Sequence, residues 1–89
     1  MAVPNEADIE LAEHMMKGIE SYLDSGTPQP EKDRQLAAEI QQAGDILDGI
    51  ETLHTFKIDR LANYQLVLVA DLRRRWNDAK GKLDRRYRG

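Results

Sequence analysis

Apolar residues recur at intervals of three and four in the first quarter of the chain, and this spacing predicts a helix over residues 5–24. Asn5 can cap its start, and Asp8 places negative charge in the first turn, where it is favoured. Ser25 and Gly26, followed by two prolines, predict its end, because proline suits only the first turn of a following helix. The recurring apolar positions are Ile9, Ala12, Met16, Ile19 and Leu23.

A second apolar repeat, with alternating spacings of four and three, predicts a helix over residues 30–54. Gly44 and Gly49 lie inside it, and each weakens a helix by roughly 1 kcal/mol relative to alanine. Their presence predicts close approach of a neighbouring backbone at both points. The repeat consists of Leu36, Ile40, Ala43, Leu47, Ile50 and His54.

A tight turn is expected over residues 54–57, although neither glycine nor proline marks it. Thr52, Thr55 and Phe56 are poor helix formers, and Thr55 can cap a new helix. The alternative is one continuous helix through this point.

The last third of the chain predicts the longest helix, over residues 57–87. With about 100° between successive residues, eight positions fall on one stripe that faces the rest of the fold. They are Ile58, Leu61, Leu68, Leu72, Trp76, Ala79, Leu83 and Tyr87. We therefore predict an all-α protein, either a three-helix antiparallel bundle or a long helical hairpin with a shorter N-terminal helix, in one domain of residues 1–89.

The middle of this third helix is apolar nearly all the way round, which is typical of burial on more than one side. If Leu66 and Val67 stay in water, the protein loses several kcal/mol of stabilising free energy, since burial of each aliphatic side chain contributes about 1.5 to 3 kcal/mol. We therefore predict that the chain oligomerises through this helix, most simply as a two-fold dimer. The alternative is that the first helix covers the region in a monomer. The predicted interface residues are Tyr64, Leu66, Val67, Ala70 and Trp76.

Length and composition narrow the class of protein. Eighty-nine residues form one domain at most, and so short a chain buries little of its surface, so that assembly helps it to fold. The absence of cysteine excludes a disulfide scaffold and a thiolate metal site. The N-terminus lacks the features of a signal peptide, and the longest dense apolar run, residues 66–70, is far shorter than a membrane span. We expect a cytoplasmic protein.

Charge is segregated along the chain. Residues 1–56 carry twelve acidic and three basic residues, whereas residues 57–89 carry ten basic and four acidic ones. We interpret the basic helix as packing beside acidic helices of the same or a neighbouring chain, and the alternative is contact with nucleic acid or another anion. The cationic residues available for that contact are Arg73, Arg74, Arg75, Lys80, Lys82, Arg85, Arg86 and Arg88.

Metal, cofactor and catalytic sites are not expected. Glu51 and His54 have the Glu-x-x-His spacing of di-iron helical proteins, but a second copy of that motif is missing, and His14 points away from the apolar stripe of its helix. We interpret His54 as a capping or interface histidine. The chain has no cysteine nucleophile and no glycine-rich phosphate loop.

These features together predict a small, non-catalytic protein-interaction module of the adaptor or inhibitor type, which binds itself and a larger protein machine. Small cysteine-free helical proteins with segregated charge are common among bacterial and bacteriophage accessory factors, and this is an analogy of type only. The alternative is a small nucleic-acid-binding protein that uses residues 73–88.

Overall fold

The computed structural model describes residues 4–25, 29–58 and 60–88, with side chains over 6–25, 29–58 and 60–86. It contains three helices, α1 (Pro4–Asp24), α2 (Pro30–Thr55) and α3 (Asn63–Arg88), and no strand within those residues. The predicted all-α class is confirmed. Asn5 is the second residue of α1, so its predicted role as the cap is wrong. The glycine at position 26 and the side chains of Asn5, Tyr87 and Arg88 lie outside the described part.

Each helix packs against the other two around one apolar core. All five stripe positions predicted for α1 are buried, as are the first five of the six predicted for α2. His54, the sixth, is half-buried at the end of α2. The core residues are Ile9, Ala12, Met16, Ile19, Leu23, Leu36, Ile40, Ala43, Leu47, Ile50, Leu61, Val69, Leu72, Ala79 and Leu83.

The predicted start of the third helix is wrong, because α3 begins at Asn63 and not near residue 57. Residues 56–62 connect the two helices, which also rules out one continuous helix. Ile58 precedes α3 and is 72% exposed, so it does not extend the buried stripe. Leu68 is 44% exposed, and Val69 occupies the core in this turn of the helix.

A hydrogen-bonded cap ends α2. Ile58 N–H donates to the Leu53 carbonyl at 2.9 Å and Lys57 N–H donates to the His54 carbonyl at 3.0 Å, which is the pairing of a Schellman motif. Lys57 has φ of 60°, a left-handed conformation that glycine ordinarily supplies. Thr55 is the last residue of α2, so its predicted role as the cap of a new helix is wrong.

The start of α3 is fixed by a side chain. Ala62 is the N-cap, since its carbonyl accepts the hydrogen bond of Leu66 N–H, and its own N–H donates to Gln65 Oε1 at 2.9 Å. This is the glutamine half of a capping box, without the serine or threonine at the N-cap that makes such a box visible in a sequence.

Trp76 packs against α2 at Gly44. A Cβ atom added at Gly44 would lie 2.7 Å from Cζ2 of the Trp76 ring, so only glycine leaves room for the indole. The indole Nε1–H donates to the Ile40 carbonyl at 2.7 Å. The predicted close approach of a neighbouring backbone is wrong at both glycines. At Gly44 the close neighbour is the Trp76 side chain, and at Gly49 an added Cβ meets nothing within 4 Å.

These two glycines form a matched pair of substitutions. Gly44→Ala is expected to lower the free energy of unfolding by about 1–3 kcal/mol, because the new methyl group forces Trp76 out of its position. Gly49→Ala is expected to raise it by up to about 1 kcal/mol, because it adds helix propensity without a clash. Urea unfolding followed by circular dichroism measures both, and equal effects of the two substitutions would contradict the described packing.

The left-handed residue at the end of α2 gives a second prediction. Lys57→Gly is expected to raise the free energy of unfolding by about 1 kcal/mol, because glycine adopts positive φ without the steric cost that Cβ imposes. For a domain of this size that corresponds to a rise of roughly 4–8 °C in melting temperature. Lys57→Ala is the control, since it removes the same charge but keeps Cβ. A similar rise for the alanine variant would assign the effect to charge.

Candidate interaction surface

Two of the candidate anion-binding arginines bind carboxylates of the other helices. Arg73 Nε donates to Glu51 Oε1 at 3.1 Å, and its Nη2 donates to Asp48. Arg75 makes a two-pronged contact with Glu20 on α1. α3 is thus tied to α2 on one side and to α1 on the other. These contacts agree with the interpretation that the basic helix packs beside acidic helices of its own chain.

The contact between Arg75 and Glu20 changes the proton affinity of both groups. The hydrogen bond from Arg75 lowers the pKa of the Glu20 carboxyl, and the bond to Glu20 raises the pKa of the Arg75 guanidinium. A carboxyl whose pKa is lower in the folded than in the unfolded protein stabilises the fold above its unfolded pKa, near 4.3 for glutamate. That contribution is lost as the pH falls through the folded pKa.

Arg86 belongs to a buried polar cluster at the end where α1 finishes and α2 begins. Asp33 is only 4% exposed, and its Oδ1 accepts hydrogen bonds from Tyr22 Oη at 2.7 Å and Arg86 Nη1 at 3.1 Å. Arg86 Nη2 also donates to the Leu23 carbonyl in the last turn of α1. The hydrogen bond to Asp33 raises the pKa of the Tyr22 hydroxyl. The cluster joins the side chains of Tyr22, Asp33 and Arg86, one from each helix, and each of them contacts the other two.

The remaining basic residues are more exposed. Arg74 pairs with Asp71 and lies 3.8 Å from Asp78, both on α3 itself. Lys82 lies 4.0 Å from Asp24, and Lys80 lies over the Trp76 ring at 5.2 Å. Arg85 is exposed, and the Arg88 side chain is outside the described part. The seven cations whose side chains are described therefore do not form one continuous surface.

Trp76 does not belong with the other predicted interface residues. It packs against the core of its own chain at Gly44, with Arg73 over its ring at 5.1 Å. Its predicted position on the inner stripe agrees with this packing, and its predicted position in the interface does not.

The other predicted interface residues are on the surface. Tyr64, Leu66 and Ala70 are exposed and Val67 is 70% exposed, so the alternative that α1 covers this region is wrong. Six of the seven exposed large apolar residues in the described part lie between positions 56 and 68, at the end of the fold where α2 finishes and α3 begins. They are Phe56, Ile58, Tyr64, Leu66, Val67 and Leu68. Sequence analysis assigned Ile58 and Leu68 to the core and gave Phe56 no role at the surface.

A groove of about 320 Å³ runs between α1 and α3 beside these residues. Its apolar part consists of Ile9, Tyr64 and Leu68, with the buried Gln65 between the two helices. Glu6, Glu10 and Glu13 line the α1 side, and Tyr64 Oη donates to Glu6 at 3.3 Å. This groove is not predicted from the sequence, because its residues belong to two helices that meet only in the folded chain.

His54 has a structural partner. Its Nδ1 accepts the hydrogen bond of Leu61 N–H at 3.0 Å, which ties the end of α2 to the segment before α3. Glu51, the other residue of the Glu-x-x-His motif, bonds to Arg73. Within the described ranges, no group of three or more histidine, aspartate or glutamate side chains is placed to hold a metal ion.

Comparison of the chain with protein-family models, with curated proteins and with solved structures gave no match. In the described part of the chain, no helix is both long and apolar enough to cross a membrane.

The lowered pKa of Glu20 predicts a pH dependence. Glu20→Gln is expected to lower the free energy of unfolding near neutral pH by less than about 1 kcal/mol, since the pair is partly exposed. The difference from the unsubstituted chain is expected to shrink as the pH falls below the range of an ordinary glutamate. Urea unfolding at a series of pH values measures this. Glu39→Gln, at an exposed position of α2, is the control for the loss of one negative charge.

Proposed function

We propose that this chain is a non-catalytic protein-interaction module that pairs with a second copy of itself through the exposed face of α3. The observation that carries the proposal is the exposure of Val67, which stands at 70% amid other exposed apolar side chains of one segment. Large contiguous apolar patches on soluble proteins typically mark interaction sites. A short domain buries a smaller fraction of its surface than a long one, so covering such a patch adds stability that its own core does not supply.

The spacing of the exposed positions supports pairing of two α3 helices. Asn63, Val67, Ala70 and Arg74 follow one another at intervals of four, three and four, which places them on one line of the helix. All four are exposed. Ala70 has a small side chain, so a second helix can approach closely at this point. An antiparallel pair with Val67 opposite Ala70 of the second copy uses the same residues twice, as a two-fold interface requires.

Charge supports the same orientation. We take the three helices as an antiparallel bundle, in which α1 and α3 run in the same direction; contacts of Tyr64 with Glu6 and of Arg75 with Glu20 support this reading. In the proposed pair, Arg74 of one copy lies opposite Asn63 of the other. Tyr64, the neighbour of that asparagine, contacts Glu6 in the first turn of α1, so Arg74 approaches an acidic residue at the edge of the interface.

The module would serve as an adaptor or inhibitor of a larger protein, of the kind found among bacterial and bacteriophage accessory factors. Nucleic-acid binding is the second candidate and receives less support. Arg73, Arg75 and Arg86 hold carboxylates within the chain, and phosphate contacts would have to replace these pairs.

Self-association is tested by light scattering on a sizing column. The unsubstituted chain of 10.2 kDa is expected to elute with the mass of two copies. Val67→Asp is expected to give the mass of one copy at the same concentration, with unchanged helicity, because this side chain contributes little to the core. Leu11→Asp introduces the same charge at an exposed leucine of α1 and should remain dimeric. A monomeric unsubstituted chain at every concentration would contradict the proposal.

A further inference from the structure

The groove between α1 and α3 combines three chemical features at one site. Its floor is apolar, formed by Ile9 and Leu68 with the Tyr64 ring beside them. Its α1 side carries three carboxylates, Glu6, Glu10 and Glu13, at intervals of four and three residues, and therefore on one face of the helix. Among the described side chains, none that lines the groove is basic.

The third feature is a buried amide that has one hydrogen-bond partner among the described residues. Gln65 is 5% exposed and lines the groove. Its Oε1 accepts the hydrogen bond of Ala62 N–H, so this contact fixes which end of the amide is oxygen. The Nε2 amino group donates to no atom of the described residues. Buried donors are nearly always hydrogen-bonded in folded proteins, so this one favours an occupant that brings an oxygen acceptor.

We propose that the groove binds a basic amphipathic helix of another protein. Apolar side chains of that helix pack on Ile9 and Leu68, its lysine or arginine residues lie along the carboxylates of α1, and one of its oxygen atoms accepts a hydrogen bond from Gln65. Amphipathic helices commonly bind in this way, with their apolar face in a groove between two helices. The three carboxylates of α1 select against acidic partners, because like charges at an interface disfavour the complex.

A second copy of the chain is a poorer occupant than a different protein. The basic part of this sequence is residues 73–88, and Arg73, Arg75 and Arg86 within it already hold Glu51, Glu20 and Asp33. A second copy would have to break those contacts to present a basic helix. The proposal goes beyond self-association and uses a different side of α3.

Two synthetic peptides test the proposal. Both carry the same leucine stripe at helical spacing and a fluorophore, and the flanking positions are lysine in one and glutamate in the other. Fluorescence anisotropy with the full chain is expected to give binding of the lysine peptide at least about tenfold tighter than that of the glutamate peptide. The affinity for the lysine peptide is expected to fall with added salt. Equal affinities, or no binding of either peptide, would overturn the proposal.

Matched variants locate the binding site. Glu6→Gln with Glu10→Gln is expected to lower the affinity for the lysine peptide by roughly tenfold, because it removes two of the negative charges that line the groove. Glu31→Gln with Glu39→Gln makes the same change in net charge at exposed positions of α2 and is expected to leave the affinity unchanged. An equal loss of affinity in the two double variants would mean that the peptide responds only to the net charge of the chain. That result would overturn the groove as the binding site.

A third variant separates this proposal from self-association. Val67→Asp, measured as a monomer, is expected to show binding of the lysine peptide, because Val67 does not line the groove. The negative charge that this substitution adds should not weaken the binding of a cationic peptide. Loss of binding in this monomer would overturn the groove proposal. A monomeric unsubstituted chain that binds the peptide would overturn self-association alone.

Discussion

The rotation of α3 about its own axis is the constraint on which the surface of this protein depends. Trp76 fixes it, because the indole fits against Gly44 and donates a hydrogen bond to the Ile40 carbonyl. Arg73 and Arg75, on the two sides of this tryptophan, bind acids of α2 and α1. A rotation of even one residue, about 100°, would break all of these contacts together. With this rotation fixed, Val67 must face away from the core.

The same contacts explain what the segregation of charge achieves. The acidic first part and the basic last part of the chain meet within one molecule, and Asp33 with Arg86 closes the end of the fold opposite the apolar surface. Such ion pairs contribute modest stability where they are exposed, and where they are buried they specify which groups must meet. They also reduce the cationic surface that remains for nucleic acid. Arg74, Lys80, Lys82 and Arg85 remain exposed, and Arg74 among them is paired with acidic residues of its own helix.

Much of this fold could be predicted from the sequence, because regular apolar spacing marks α1 and α2 and the buried parts of both helices follow it. The turn after α2 was harder to place. Lys57 adopts a conformation usual for glycine, and the start of α3 depends on Gln65 with alanine at the N-cap, so both signals are weak. Because that start was placed six residues too early, Ile58 was assigned to the predicted core. Leu68 was assigned there by its place on the apolar stripe, although Val69 takes the buried position in this turn. The groove followed from no sequence pattern, because its acids and its apolar floor come from helices that meet only in the folded chain.

The rotation of α3 can be measured through Trp76, since it is the only tryptophan in the chain and its indole N–H gives a single resolved signal in a ¹⁵N-correlated NMR spectrum. We expect slow hydrogen exchange of this proton, because it is held by the Ile40 carbonyl, and nuclear Overhauser contacts between the indole ring and the α-protons of Gly44. Exchange as fast as that of a solvent-exposed indole, without contacts to Gly44, would mean that α3 presents a different face and would contradict the account.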